Sequence, residues 1–191
     1  YYLAQCLAAQ DQTDEALKHF RELTIINPQS HRGFQQWGTL RAIFARSPDD
    51  LKAAEESLDR AHAINPEETG ALLVLGEISL LRGDTAKAEQ RFAAACRSNP
   101  RAAGGLFLRG YIAWKQGDAT RAAQLLGETR RALGKEWQPK GTTSEGDVKQ
   151  KQHVEQTPLA RFWENWNGSE EPPKAFAAVD AFLKTQHVGS K

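Results

Sequence analysis

The feature that most constrains this chain is an internal repeat with a period of 34 residues. The same residue types recur at this offset along the middle of the chain. The recurring pairs are Gly76 and Gly110, Gly83-Asp84 and Gly117-Asp118, and Ala88 and Ala122. A period of this length is typical of a helical unit that cannot bury its apolar face alone and stacks on its neighbours. The chain is therefore expected to be built from repeated helical hairpins.

Each repeat follows the same local pattern. A first helix carries apolar residues at helical spacing, and a Gly-Asp pair then ends it, because Gly accepts the left-handed conformation and Asp caps the following helix. A second helix carries small residues around a Phe, and an Asn-Pro pair closes the unit because Pro does not continue a helix. In the clearest unit these positions are Leu72, Leu75, Ile78 and Leu81, then Gly83-Asp84, then Ala88, Phe92 and Ala95, then Asn99-Pro100.

These residues resemble the tetratricopeptide repeat (TPR) family. The units are 1–28, 29–66, 67–100 and 101–134. The matching positions are Leu3, Ala4, Leu7, Ala16, Phe20, Leu23 and Pro28; Trp37-Gly38, Ala54, Leu58, Ala61 and Pro66; Leu72, Leu75-Gly76, Ala88, Phe92, Ala95 and Pro100; and Leu106, Gly110, Ala122 and Leu126. The resemblance implies an all-α fold, a right-handed α-solenoid of helix-turn-helix repeats with a C-terminal helical cap.

Two places depart from the family pattern. The second unit has four extra residues, which we expect in a surface loop around Ser47-Pro48-Asp49-Asp50, where insertions are tolerated. In the fourth unit Arg109 stands at an apolar position and Gly134 replaces the closing Pro. The packing of the fourth unit is therefore the least determined by the pattern.

Beyond Gly134 the periodicity stops and then returns. Residues 135–157 are polar and are predicted to form a linker. Residues 158–187 are predicted to form a degenerate helical hairpin, with a short aromatic helix at 158–166 and a second helix from Lys174 to Thr185. The hairpin either caps the last repeat or folds its aromatic helix back into the binding groove, so intramolecular contact of 158–166 with the repeats is expected.

The resemblance places a binding surface on the first helices of the repeats. Seven residues are predicted to line this concave groove: Gln35, Thr39, Leu73, Glu77, Phe107, Tyr111 and Trp114, preceded by Tyr1 and Gln5. The alternative for the three aromatic residues of the fourth unit is that they pack against the C-terminal hairpin. Co-chaperones of the family bind acidic tails with Lys, Arg and Asn residues of the groove helices. The corresponding groove positions here have Gln, Thr, Leu and Val, so a clamp for a terminal carboxylate is not expected.

Composition and motifs narrow the function classes. The formal net charge is +1, so nothing in the bulk charge favours nucleic acid, and no apolar run reaches the ~20 residues of a membrane helix. No phosphate loop, Cys-x-x-Cys or His-Glu-x-x-His motif is present, and the five histidines are scattered. We predict no enzyme activity, no catalytic residues, no metal and no cofactor. Cys6 and Cys96 are interpreted as buried thiols.

The predicted function is a protein-interaction module, an adaptor or assembly scaffold that binds a peptide or helix in the groove. The alternative is a regulatory or structural region of a larger, enzymatic protein. The sequence has no Met and begins inside a helical pattern, which is expected of a segment of a longer chain. Its localisation and the identity of its partner are not predicted.

Overall fold

In a computed structural model of the chain, the described residues are 7, 12–134, 157–166, 168 and 171–188. Within these residues the fold is all-α, with nine helices and no strand. The helices are α1 (Thr13–Ile26), α2 (His31–Ile43), α3 (Pro48–Ile64), α4 (Gly70–Leu81), α5 (Thr85–Ser98), α6 (Ala103–Lys115), α7 (Ala119–Leu133), α8 (Ala160–Glu164) and α9 (Pro172–Val188). Tyr1, Gln5, Cys6 and residues 135–156, which make up most of the predicted linker, lie outside the described residues.

The chain divides into two compact units, and the first extends to Leu75. Its core joins α1 to α2 through Phe20 and Leu40, which are both buried. Helices α2 and α3 approach closely at Gly38, where a Cβ atom would lie 2.7 Å from Leu58 Cγ. The predicted small residue at this position therefore allows the close contact between the two helices of the repeat.

The expected loop around Ser47 and Asp50 is wrong, since these residues start α3. Ser47 Oγ accepts the backbone N–H of Asp50 at 3.2 Å, and Asp50 Oδ2 accepts the backbone N–H of Ser47 at 3.1 Å, which makes a reciprocal capping box. Pro48 follows in the first turn, where its missing N–H costs nothing. The extra residues thus lengthen the second helix of the repeat at its N-terminus.

The second unit begins at Gly76 and includes α5 to α9. The predicted Gly-Asp turns are confirmed here. Gly83 and Gly117 have φ angles of 79° and 85°, in the left-handed region that favours glycine. The carboxylates of Asp84 and Asp118 then accept the backbone N–H groups of Lys87 and Arg121 at 3.0 and 2.9 Å, which caps α5 and α7.

Arg109 sits at an apolar position of the family pattern because it is paired. Its Nε lies 3.1 Å from Glu89 Oε1, and Arg121 Nη2 lies 2.8 Å from the same oxygen. This ion-pair network links α5, α6 and α7. Cys96 lies nearby as a buried free thiol, and burial raises the pKa of this thiol, which keeps it protonated. The interpretation of Cys96 as a structural residue fits this environment.

The C-terminal helices pack on the fourth repeat: α8 contacts α6, and α9 contacts both α6 and α7. Two boundaries differ from those predicted. The aromatic helix is shorter, because Pro158 and Leu159 form a turn before it. The last helix is longer and starts at Pro172, since proline is accepted in a first helical turn.

Candidate protein-binding site

The aromatic residues predicted for the fourth repeat form one face of α6. Phe107, Tyr111 and Trp114 have i, i+4, i+7 spacing, so they lie on the same side of the helix. Phe107 is 0% exposed and Tyr111 is 5% exposed, because α9 covers them. We call Phe107, Tyr111, Trp114 and the adjacent Lys115 the aromatic strip. The strip is thus occupied by a helix of the same chain.

Phe176 of α9 is the residue that fits the strip. Its ring centroid lies 5.1 Å from that of Phe107 and 6.0 Å from those of Tyr111 and Trp114, in edge-on or tilted geometry. Such arrangements are favourable because the positive ring edge meets the negative ring face. Phe176 is 0% exposed. One side chain therefore makes contact with all three aromatic rings of the strip.

A glycine makes room for this ring. A Cβ atom on Gly110 would lie 2.9 Å from Phe176 Cζ, so any larger residue would push the ring away. In the preceding repeat Phe92 packs in the same way over Gly76. The fourth repeat has Leu126 in place of that phenylalanine, and the C-terminal helix supplies the ring instead.

The polar end of the strip binds a carboxylate. Tyr111 Oη donates to Asp180 Oδ1 at 3.1 Å, and Lys115 Nζ lies 2.9 Å from the same oxygen. Lys184 of α9 pairs with the other oxygen at 2.7 Å. These three donors, Lys184 foremost, lower the pKa of Asp180 to about 2. Burial, together with the carboxylate, raises the pKa of Tyr111, so its hydroxyl stays a donor at neutral pH.

This carboxylate gives a prediction for acid pH. The pKa of Asp180 is lower in the folded chain than its ordinary value of 3.8, so its charge stabilises the fold above pH about 4. We expect that contribution to be lost as the pH falls from about 4 to about 2. The measurement is the difference in free energy of unfolding between the parent and Asp180→Asn, determined by urea titration at several pH values.

The Asp180→Asn protein serves as the reference because Asn still accepts from Tyr111 but does not titrate. The difference should be constant from pH 7 to about 5 and shrink below that. A difference that stays constant down to pH 2.5 would show that the carboxylate does not act through its charge.

Glu77 anchors the start of the C-terminal segment. This carboxylate on α4 is buried, and its Oε2 accepts the backbone N–H of Leu159 at 3.3 Å. Further along, the indole of Trp163 lies over Gly104, and the ring of Trp166 lies 5.7 Å from that of Phe107. The C-terminal segment therefore contacts four of the seven predicted groove residues directly: Glu77, Phe107, Tyr111 and Trp114.

The other three predicted groove residues lie in the first unit. Gln35 and Thr39 are half-buried on α2, and Leu73 is half-buried on α4. The amide of Gln35 approaches Gly70, whose missing Cβ atom leaves the space for it. These residues are therefore partly open to a partner, and their role in binding stays a prediction.

Sequence reasoning missed Lys115 and Asp180. Lys115 is 43% exposed at its side chain and pairs with a carboxylate 65 positions later in the sequence. No local pattern identifies such a pair. The available signal was the position of Lys115 directly after the aromatic residues, in the last turn of α6, where a cation is favoured.

A concave region lies in the first unit, lined by residues of α1, α2 and the start of α3. Its volume is about 450 Å³, and its walls carry charges of both signs, including Arg41 and Asp50, which pair at 3.0 Å. Among the described residues no group of three or more His, Cys, Asp or Glu side chains is arranged to hold a metal ion. None of the described helices has both the length and the apolar character needed to span a bilayer.

Comparison with known families matches most of the repeat region. Two sequence profiles, each described as tetratricopeptide repeat, match the chain: one covers residues 45–100 and 82–133, and the other covers residues 1–30. A search of curated protein sequences finds no match.

Solved structures share the fold. The chain is similar to the crystal structure of MamA, with 17% identity, a TM-score of 0.62, and coverage of 69% of this chain and 75% of MamA. It is also similar to TTC0263, a thermophilic TPR protein from Thermus thermophilus, with 18% identity, a TM-score of 0.60, and coverage of 71% and 73%. These likenesses confirm the predicted all-α repeat fold class.

Proposed function

The chain belongs to the tetratricopeptide repeat family and is a repeat module of the protein-interaction class, and we propose that it acts as an adaptor or assembly scaffold. In this proposal the site is the surface formed by the first helices of the repeats, and its ligand is a peptide segment or a helix. The predicted groove residues are its contacts.

One observation supports this proposal more than any other. The aromatic strip already holds a helix, α9, through a ring that touches three aromatic residues and through a carboxylate bound by Tyr111 and Lys115. Aromatic anchors combined with a paired charge are typical of the residues that dominate the energy of protein interfaces. A surface with this chemistry is suited to bind a helix from another protein.

We expect a Tyr111→Ala/Trp114→Ala chain to lose its partner. The measurement is affinity capture from an extract of the source cells, followed by titration of the captured protein, once purified, against the parent and the variant. Removing one anchor of this kind typically costs about 2 kcal/mol or more, which is about 30-fold in affinity, and the two losses together should lower affinity by at least about 100-fold because such losses are not fully additive.

The control for this experiment is Gln124→Ala/Arg131→Ala, which removes two exposed side chains of α7 away from the strip. Circular dichroism of both double variants establishes that the helices are retained. A captured protein that binds the Tyr111→Ala/Trp114→Ala chain as tightly as the parent would move the site away from α6.

The second candidate is a structural or regulatory region of a larger protein. The observation that favours it is the burial of Phe107 and Tyr111 by the chain's own α9. If this interpretation is right, the strip serves only to cover the last repeat. Capture would then return nothing whose binding depends on Tyr111 and Trp114.

A further inference from the structure

The chemistry of the strip's own occupant specifies what kind of partner would fit. Phe176 and Asp180 are four residues apart on α9, so they project from the same face of the helix. The ring enters the pocket between the strip aromatics and Gly110, and the carboxylate reaches Tyr111 and Lys115. These two side chains together use the apolar and the polar part of the strip.

The polar part imposes a requirement on any occupant. Tyr111 is a buried phenol whose hydroxyl donates to a carboxylate, and Lys115 belongs to the same helix and remains beside it if α9 leaves. A buried donor without an acceptor costs free energy, and a carboxylate satisfies both groups at once. An apolar helix would fill the aromatic pocket but leave these donors unmatched. The strip therefore favours a helix that carries an acidic residue one turn after its aromatic residue.

In α9 the carboxylate of Asp180 is shared between the strip and a lysine of the same helix. Lys184, on α9 itself, pairs with Asp180 at 2.7 Å, and its own side chain is 70% exposed. This i, i+4 pair is local to α9 and is kept when the helix leaves the strip, so it lowers the cost of release. A helix with no lysine at that position offers its carboxylate undivided to Tyr111 and Lys115.

We propose that the aromatic strip binds a partner helix that carries an aromatic residue and an acidic residue four positions later, and that α9 occupies the strip until such a helix displaces it. This inference rests on the proposed function and names the chemistry of its ligand. Displacement follows from competition, since the apparent affinity for a partner is reduced by the fraction of chains in which the strip is open.

The test uses the full chain and a synthetic helix with a foreign sequence. The probe is a fluorescently labelled alanine- and lysine-rich peptide with one Phe, one Asp four residues later, and alanine rather than lysine four residues after the Asp; its matched controls have Phe→Ala or Asp→Asn. The host chains are the parent, Phe176→Ala, Asp180→Asn, and Lys174→Ala, whose exposed side chain on α9 pairs with its neighbour Glu171. Fluorescence anisotropy gives each dissociation constant.

We expect the Phe and Asp probe to bind the Phe176→Ala chain at least about 10-fold more tightly than the parent, because the internal competitor is weakened. Asp180→Asn should give a smaller gain, and Lys174→Ala none. Should Phe176→Ala fail to fold, Asp180→Asn carries the comparison. Equal affinity of the probe for the parent and for both variants would overturn the claim that α9 competes for this surface.

The carboxylate requirement has a separate control. In the Phe176→Ala chain the Asp probe should bind more tightly than the Asn probe by about 5-fold or more, and adding Lys115→Met should remove this preference. An equal affinity for the two probes in the presence of Lys115 would overturn the acidic part of the proposal. Binding of the Phe→Ala control peptide with the affinity of the probe would overturn the aromatic part.

The captured partner separates this inference from the proposed function. Binding that needs Tyr111 and Trp114 but is equal for the parent and the Phe176→Ala chain would leave the proposed function intact and overturn the displacement of α9. If the probes behave as expected and no captured protein depends on Tyr111 and Trp114, the recognition chemistry stands and the adaptor role fails.

Discussion

The Gly76→Ala protein should unfold at a lower urea concentration than the parent, although alanine is the better helix former. A Cβ atom at this position would lie 2.6 Å from Phe92 Cδ1 and 2.7 Å from Phe92 Cζ. Phe92 is 0% exposed, so its ring is enclosed and cannot swing away into solvent. Overpacking of this kind costs about 1–3 kcal/mol, which exceeds the roughly 0.5–1 kcal/mol that alanine gains in helix propensity.

Gly127→Ala is the matched control, with the opposite sign expected. Gly127 lies in the middle of α7, and a Cβ atom there meets nothing within 4 Å. The same substitution should therefore stabilise the protein by about 0.5–1 kcal/mol. Gly76→Leu should be the most damaging of the three, at about 3 kcal/mol or more. A Gly76→Leu protein with the urea midpoint of the parent would contradict the close packing of α4 and α5.

The repeats were predictable because their determinants are local. Gly83 and Asp84 end one helix and cap the next within two residues. The apolar residues of α4 recur at each helical turn, so their spacing predicts the helix from the local sequence alone. The start of α3 was missed for a reason of the same kind. Pro48 resembles a loop residue until the reciprocal cap between Ser47 and Asp50 is taken into account.

The occupant of the strip was only half predictable. The spacing of Phe107, Tyr111 and Trp114 placed them on one face of a helix, but sequence left open whether that face bound a partner or the C-terminal hairpin. The contact with Phe176 joins residues more than 60 positions apart, and no local pattern specifies which ring fills the space over Gly110. The available clue is that Leu126 stands at the position of Phe92, so the fourth repeat has no ring of its own at this place.

We expect Phe92→Ala to destabilise a whole repeat, whereas Phe176→Ala should mainly weaken the contact of α9 with the strip. Both phenylalanines are fully buried, and each lies over a glycine in the first helix of a repeat, Gly76 for Phe92 and Gly110 for Phe176. Phe92 joins α4 to α5, so its removal leaves a cavity inside a repeat and should lower the free energy of unfolding by about 3–5 kcal/mol. Phe176 lies on the last helix, which packs against the repeats through α6 and α7.

Hydrogen exchange distinguishes these outcomes, because it reports local opening separately from global unfolding. Phe176→Ala should speed exchange in α8 and α9 while α5 stays as protected as in the parent. Phe92→Ala should speed exchange throughout α4, α5 and α6, since cooperative opening of the repeat exposes them together. Equal loss of protection in α5 for the two variants would mean that α9 is an integral part of the repeat core, and the strip would then have no open state for a partner to bind.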